Sequence, residues 1–246
     1  MIRLFFIFLL IAWQTTFAAK LPEGFVYLKE IDPSIQQEMR YKTNHNFIGR
    51  PIRGYQASTC ILSKPAALAL KEVQTELRQS NLSLKVYDCY RPQMAVDDFY
   101  QWSQNPAQQE MKIEFYPRVD KKELFNLGYI AAKSGHTRGS TMDLTIIPIP
   151  SSPQEKFQKG KKLVTCFSDY KTRFQDNTID MGTGYDCLDP VAHDDTKEIN
   201  LVSAHNRQLF RDIMEKYHFV PYSKEWWHFT LKDEPYPDTY FNFPVA

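Results

Sequence analysis

The chain has 246 residues, 43% of them hydrophobic and 24% charged, which excludes a disordered chain and leaves room for one large domain with a sizeable core. Thirty Lys and Arg stand against 29 Asp and Glu, a formal charge of +1 with no basic run, so neither nucleic acid nor an anionic membrane surface is an expected partner. Aromatic residues are frequent at 14% and predict a bulky core or a ring-lined pocket.

The chain opens on "MIRLFFIFLLIAWQTTFAAK": basic Arg3, an apolar run from Leu4 to Trp13, then small Ala18 and Ala19. That layout predicts a signal peptide over residues 1–19, because a membrane span needs about 20 apolar residues and this run is about half that. The expected product is an exported domain over residues 20–246, periplasmic or secreted, with no stable membrane insertion after cleavage. Loss of Arg3 brings its formal charge to zero.

Helical spacing of apolar residues, with Pro65 in the first turn, predicts a helix over 64–80. Alternation predicts a strand over 83–90, followed by a helix over 93–103 that starts just after Arg91-Pro92. A short helix is expected over 121–133 and a strand over 141–147. Residues 150–180 are polar and irregular and read as an insertion or long loop. Residues 197–217 carry the strongest helical pattern, and 226–232 read as a strand. Helices and strands do not alternate regularly, so an α+β fold is expected over a doubly wound sheet. Four cysteines, Cys60, Cys89, Cys166 and Cys187, form no CxxC pair, so a zinc ribbon is not indicated. In an exported chain they predict disulfides. Of three possible pairings, Cys60–Cys89 and Cys166–Cys187 keep each loop local; four buried free thiols are the alternative.

Two segments carry chemistry. In "SGHTRGSTMDLTII" a small-residue turn delivers His136, and Asp143 follows inside an apolar, β-branched strand. A carboxylate there is costly to bury unless it is paired, for example with Arg138, or bound to a cation. In "SKEWWHFTL" His228 sits in an equally apolar strand. A lone buried imidazole would most simply bond the backbone. Together, His136, Asp143 and His228 make the three-ligand set of a catalytic zinc with one position left open, a mixture better suited to Zn²⁺ than to Ca²⁺ or Mg²⁺. Glu225 lies three residues before His228. On a regular strand the two would face opposite ways, so a bend or bulge between the tryptophans is expected, bringing the carboxylate beside the attacking water as general base and acid. Trp226 and Trp227 would pack the site against water. Arg91, in "YDCYRPQMAV", is placed to stabilise an oxyanion or, alternatively, to make a structural ion pair. His45, His193, His205 and His218 stand in polar surroundings and read as surface residues.

These residues carry a family resemblance. "SGHTRGSTMDLT" resembles the S-x-H-x-x-G-x-x-x-D signature of zinc peptidases of the D-Ala-D-Ala carboxypeptidase/dipeptidase group, and "EWWH" resembles its E-x-x-H element. "YDCYRP", "MGTGYD" and the ending "EWWHFTLKDEPYPDTYFNFPVA" are similar to the D-alanyl-D-alanine dipeptidases of the VanX type, from about Tyr41 to the C-terminus. The resemblance implies a single α+β domain of the Hedgehog/DD-peptidase-like kind, with a central, mostly antiparallel sheet flanked by helices. It implies one zinc held by His136, Asp143 and His228, with Glu225 as general base and acid and Arg91 as oxyanion stabiliser. Asp186 matches the carboxylate that meets the substrate's ammonium group, which suits a charge that would exclude N-blocked peptides. Ser134 matches a substrate contact, and Tyr41 and Tyr55 fall where they could line the pocket. The implied reaction is hydrolysis of the small dipeptide D-Ala-D-Ala to two D-alanines, in wall turnover, D-Ala recovery or glycopeptide resistance. Alternatives are a D,D- or L,D-carboxypeptidase or endopeptidase acting on wall peptides, and a zinc-binding interaction domain without catalysis, which would need neither Glu225 nor Arg91. Two features depart from the family pattern: the export signal, and a longer segment between Asp143 and Asp186.

Overall fold

The strands with the most continuous apolar runs lie at the centre of the sheet, where both faces are covered. The computed structural model describes residues 21–246; the signal peptide expected over residues 1–19 lies outside the described residues. In chain order the elements are β1 (Phe25–Tyr27), α1 (Leu28–Ile31), β2 (Gln36–Gln37), β3 (Ile61–Ser63), α2 (Lys64–Gln79), β4 (Leu82–Asp88), α3 (Gln93–Ser103), α4 (Lys112–Phe115), β5 (Thr141–Pro148), α5 (Leu201–Lys216), β6 (Phe219–Tyr222) and β7 (Glu225–Leu231). Five strands form one mixed sheet in the order β2-β4-β5-β7-β6, with β2 parallel to β4 and every other pairing antiparallel. β1 and β3 pair separately. This is the α+β architecture expected, with a mostly antiparallel central sheet.

Helix α2 turns Ala66, Ala67, Leu70, Val73 and Leu77 inward and packs on β4. Helix α5 starts where the Asn200 side chain accepts the Ser203 N–H at 2.8 Å, and it lays Phe210 against Phe229 of β7 with ring centroids 5.0 Å apart. Helix α3 begins directly after Pro92, whose fixed backbone sets the start. No helix among the described residues is long and apolar enough to cross a membrane.

Residues 149–189 hold no regular element, as the polar composition predicts, yet they are tightly anchored. Asp176 meets buried Arg40 at 3.5 Å and bonds Tyr87, and its carbonyl accepts from Lys85, a fully buried ammonium on β4. Lys85 also pairs with Glu38 at 2.6 Å. The helix expected over 121–133 is reduced to one 3₁₀ turn, Lys121–Glu123. Lys121 turns inward to donate to the carbonyls of Asn105 and Gln108, and Gly128 takes a left-handed φ of +81°, which ends any helical continuation. His45 is buried, not a surface residue. It lies between the rings of Phe157 and Phe174, accepts from Arg40 at 2.8 Å and donates to Glu114 at 2.7 Å.

Two irregularities in the sheet set up the site. One extra residue, Tyr87, bulges out of β4 between Val86 and Asp88, so that Asp88 comes abreast of Asp143. On β7, Glu225 pairs with Tyr222 while Phe229 pairs with Pro221, so β7 holds three residues more than β6 over this stretch. The tryptophans lie within that excess, where a bend was expected. On its other edge β7 remains regular and sets His228 opposite Asp143.

Candidate metal centre

Asp88, Asp143 and His228 therefore stand in one row across three adjacent strands and point to one face. His136 joins them from the 3₁₀ turn Gly135–Arg138, whose first N–H groups are capped by Ser134: its Oγ accepts the His136 N–H at 3.3 Å. Gly139 closes that turn at φ +87°, where a Cβ would strike the Phe25 ring.

Three ligand atoms converge. His136 Nε2 lies 3.3 Å from both Asp143 Oδ1 and His228 Nδ1, and those two are 3.2 Å apart. The tautomer of His136 is settled by its partner: a carbonyl can only accept, so Nδ1–H donates to Cys89 O at 2.8 Å and Nε2 presents its lone pair. Burial holds the His228 imidazole below its ordinary range, which keeps it neutral. The Asp143 carboxylate is buried beside both rings. Its Oδ1 is buried and has no hydrogen-bond partner among the described residues. Three acceptor atoms about 3.3 Å apart match one face of a tetrahedron around a cation with bonds of about 2.0 Å. No other group of this kind occurs among the described residues. Arg138, the alternative partner for Asp143, instead pairs with Glu234 at 2.7 Å.

The His136, Asp143 and His228 side chains line a cavity of about 220 Å³ shared with Glu225, Arg91, Asp186, Ser134 and Tyr41. The Gly128–Gly135 loop closes one side, and Phe47, Phe99, Leu188 and Tyr222 add apolar wall. Glu225 is buried with Oε2 3.5 Å from His228 Nδ1. Burial, with the charges of Asp143 and Asp186, pushes its carboxyl well above the usual range. The Arg91 guanidinium lies over the adjoining rings of Tyr41 (4.9 Å) and Phe99 (5.1 Å), which pack edge-on against each other, and reaches Asp143 Oδ2 at 3.5 Å. Asp186 has left-handed backbone, φ +59°, and its buried carboxylate meets one neutral partner, the Tyr41 hydroxyl, at 3.0 and 3.3 Å. Burial and the Asp143 charge raise it well above the usual carboxylate range.

Tyr55 is outside the cavity lining; its hydroxyl donates to Asp88 Oδ1 at 2.6 Å. The tryptophans stand behind the cavity, Trp227 fully buried and Trp226 donating to Thr183 at 2.8 Å. Sequence reasoning passed over Asp88, the hub of the site. It takes Arg91 Nε and Nη2 at 2.9 and 2.8 Å, the Tyr55 hydroxyl, and lies 3.5 Å from His136 Nδ1. The signal was present: Asp88 is a second carboxylate in an apolar strand, three residues before Arg91. Tyr185, which donates to Asp143 Oδ2 at 3.0 Å, was also passed over, and only its place beside Asp186 marked it. Both cysteine pairs are bonded, Cys60 with Cys89 and Cys166 with Cys187.

The sequence matches a peptidase family profile described as D-ala-D-ala dipeptidase over residues 22–149 and 151–246. It is 36% identical to a D-alanyl-D-alanine dipeptidase of Streptomyces coelicolor (strain A3(2)), over 90% of this chain and 98% of that protein. It is likewise 36% identical to one of Enterococcus faecalis V583, over 91% and 98%, and 30% identical to one of Escherichia coli K12, over 84% and 83%.

Proposed function

This chain belongs to the D-Ala-D-Ala dipeptidase family of metallopeptidases, and from that premise we propose that it hydrolyses D-Ala-D-Ala to two D-alanines with one zinc ion held by His136, Asp143 and His228. The observation that carries the metal is the meeting of two imidazole nitrogens and one unpartnered carboxylate oxygen about 3.3 Å apart in a buried cluster. Two imidazoles with one carboxylate favour zinc over the hard, oxygen-seeking cations. When bound, the ion supplies Lewis acidity to the attacking water and to the scissile carbonyl.

The chain's own residues supply the rest. Glu225, beside the ligand set and drawn toward the protonated state by burial, takes a proton from the water and returns it to the leaving amine. Arg91 donates to the oxyanion as the carbonyl carbon becomes tetrahedral; Asp88 and the adjoining Tyr41 and Phe99 rings fix it beforehand, so little reorganisation is needed. Asp186, lacking a cationic partner among the described residues, takes the ammonium group of the dipeptide, with Tyr41 holding its carboxylate. Ser134 Oγ, at the cavity edge, contacts the substrate backbone. Substrates whose amino group is blocked would bury the Asp186 charge unpaired.

A cavity of about 220 Å³ is below the usual size for drug-sized ligands and suits a free dipeptide better than a cross-linked wall peptide. The two disulfides fit an oxidising environment, and with the leader expected from the sequence over residues 1–19 they support work outside the cytoplasm. The test uses the mature, zinc-loaded protein on D-Ala-D-Ala, L-Ala-L-Ala and N-acetyl-D-Ala-D-Ala, beside Glu225→Gln. Release of D-alanine from the free D,D-dipeptide, with kcat lowered on the order of 10³-fold in E225Q at unchanged zinc content, is expected. Equal turnover of the acetylated compound would overturn the role of Asp186. Undiminished turnover by E225Q would overturn the role of Glu225.

A further inference from the structure

The second disulfide leads directly to the cavity. Cys187 follows Asp186 in sequence, and its bond to Cys166 spans 21 residues. The stretch from Gly184 to Asp189 has no regular element. Its backbone is held at three points: the Gly184 N–H donates to Cys166 O at 2.8 Å, the disulfide binds Cys187 to the same residue, and the Leu188 N–H donates to Phe115 O at 2.7 Å, while the Tyr185 ring stacks on Tyr87 and Arg118 pairs with Asp189. Cys166 is itself carried by α4, since its N–H donates to Glu114 O at 3.0 Å. One residue thus grips the Asp186 turn by a hydrogen bond and by a covalent bond.

The turn needs that grip. Asp186 is in left-handed backbone, and its carboxylate is buried with a single neutral hydroxyl for company. A carboxylate in that setting gains by swinging toward water or toward Arg91 whenever its backbone is free to move. The metal ligands lie on β5, β7 and the Gly135–Arg138 turn, none of them in this stretch.

We propose, resting on the role given above to Asp186, that the Cys166–Cys187 disulfide is a positioning device that holds Asp186 for the substrate's ammonium group, so that dipeptide capture depends on the oxidised state of the chain. Reduction, with two electrons and two protons taken up to give two thiols, removes the covalent tie next to Asp186 and leaves the turn on its hydrogen bonds and on the packing of Tyr185. The reduced chain keeps its metal and takes the dipeptide weakly; bond formation in an oxidising environment switches substrate capture on.

The test compares wild type, the double variant Cys166→Ala/Cys187→Ala and Asp186→Asn as full mature proteins. It reads metal stoichiometry, kcat and KM for D-Ala-D-Ala, and dipeptide affinity by calorimetry with Glu225→Gln added to suppress turnover. For the double variant, metal content stays at wild-type level and kcat stays within about threefold, while KM and Kd rise about tenfold or more, the loss of one charge-assisted contact. Preference for the free over the N-acetylated dipeptide narrows in proportion. A double variant that melts at lower temperature but keeps the wild-type KM overturns the proposal, as does one that loses metal along with kcat. Should the double variant not fold, the Cys60→Ala/Cys89→Ala variant, in which Cys166–Cys187 is the one bond left, is compared before and after reduction by a water-soluble phosphine, which takes up the oxygen of water as the thiols form, and gives the same readouts. If D186N leaves KM unchanged, the role of Asp186 fails first; if D186N raises KM and the cysteine variant does not, Asp186 keeps its role and the disulfide loses its own.

Discussion

Replacing Asp186 by Asn should make the protein more stable and a worse enzyme. In the free chain this carboxylate is 3% exposed, meets only the Tyr41 hydroxyl, and is held well above the usual carboxylate range by burial and by the nearby Asp143 charge. A carboxyl raised in the folded state contributes stability that is full below its unfolded value and lost as pH climbs through its folded value, so at neutral pH it is a burden. Asn keeps the size, accepts the Tyr41 hydroxyl and tolerates left-handed backbone, φ +59° here. Removing an uncompensated buried charge should therefore return about 1–3 kcal/mol at neutral pH, which for a chain of this length raises Tm by about 2–12 °C. The substrate's ammonium group meanwhile loses a buried partner, a cost of about 2–5 kcal/mol, or at least about thirtyfold in kcat/KM. Thermal denaturation at equal metal loading, run at neutral pH and again near pH 4, measures the first effect. The gain should shrink at the acid end. A variant that melts below wild type with its KM unchanged would mean that Asp186 is a structural residue with an internal partner, and the role assigned to it would be wrong.

Arg91→Lys keeps the charge but loses the fork to Asp88 and the guanidinium's contact with the Tyr41 and Phe99 rings, so kcat should fall on the order of 10²-fold with little change in KM; a variant within threefold of wild type would remove Arg91 from the chemistry. Burial, opposed by Arg40 and reinforced by Glu155 and Asp176, raises Glu114 to about 7. Relative to Glu114→Gln, wild type should accordingly lose about 3 kcal/mol in urea unfolding between about pH 4.5 and pH 7.5, and parallel pH curves would refute this. Removing the Cys60–Cys89 bond as a pair of alanines should cost about 3–4 kcal/mol through chain entropy. It should also weaken metal affinity about tenfold, because Cys89 O is the acceptor that fixes the His136 ring; competition with a chelator measures the second effect, and unchanged affinity would disconnect bond from ring.

Much of this fold was legible because its pieces are locally determined. Pro92 sets the start of α3 through its own backbone, and Pro65 with a clean apolar face specifies α2. Residues 121–133 were not legible: the inward turn of Lys121 toward the Asn105 and Gln108 carbonyls depends on a neighbouring loop that no local pattern reveals. His45 misled for the same reason, since its covering rings come from Phe157 and Phe174, more than a hundred residues away. At the site, the cost of burying Asp143 and His228 in apolar strands exposed them in the sequence. Tyr55 and Asp88 were harder, because their pairing with each other, not the type of either residue, decides what each does. The family resemblance added the roles of Ser134 and Asp186, which spacing alone does not convey.

The three-residue surplus on β7 has a consequence for how such a site can be lost or transplanted. Because the surplus is odd, it reverses which way Glu225 points relative to His228. An insertion of three residues into β6 that restored unbroken pairing would leave Glu225, His228 and the hydrophobic pattern of β7 all encoded, with Glu225 on the other side of the sheet from His228. Grafting the short E-x-x-H string onto a straight strand would fail in the same silent manner; what has to be copied is the misfit between two neighbouring strands.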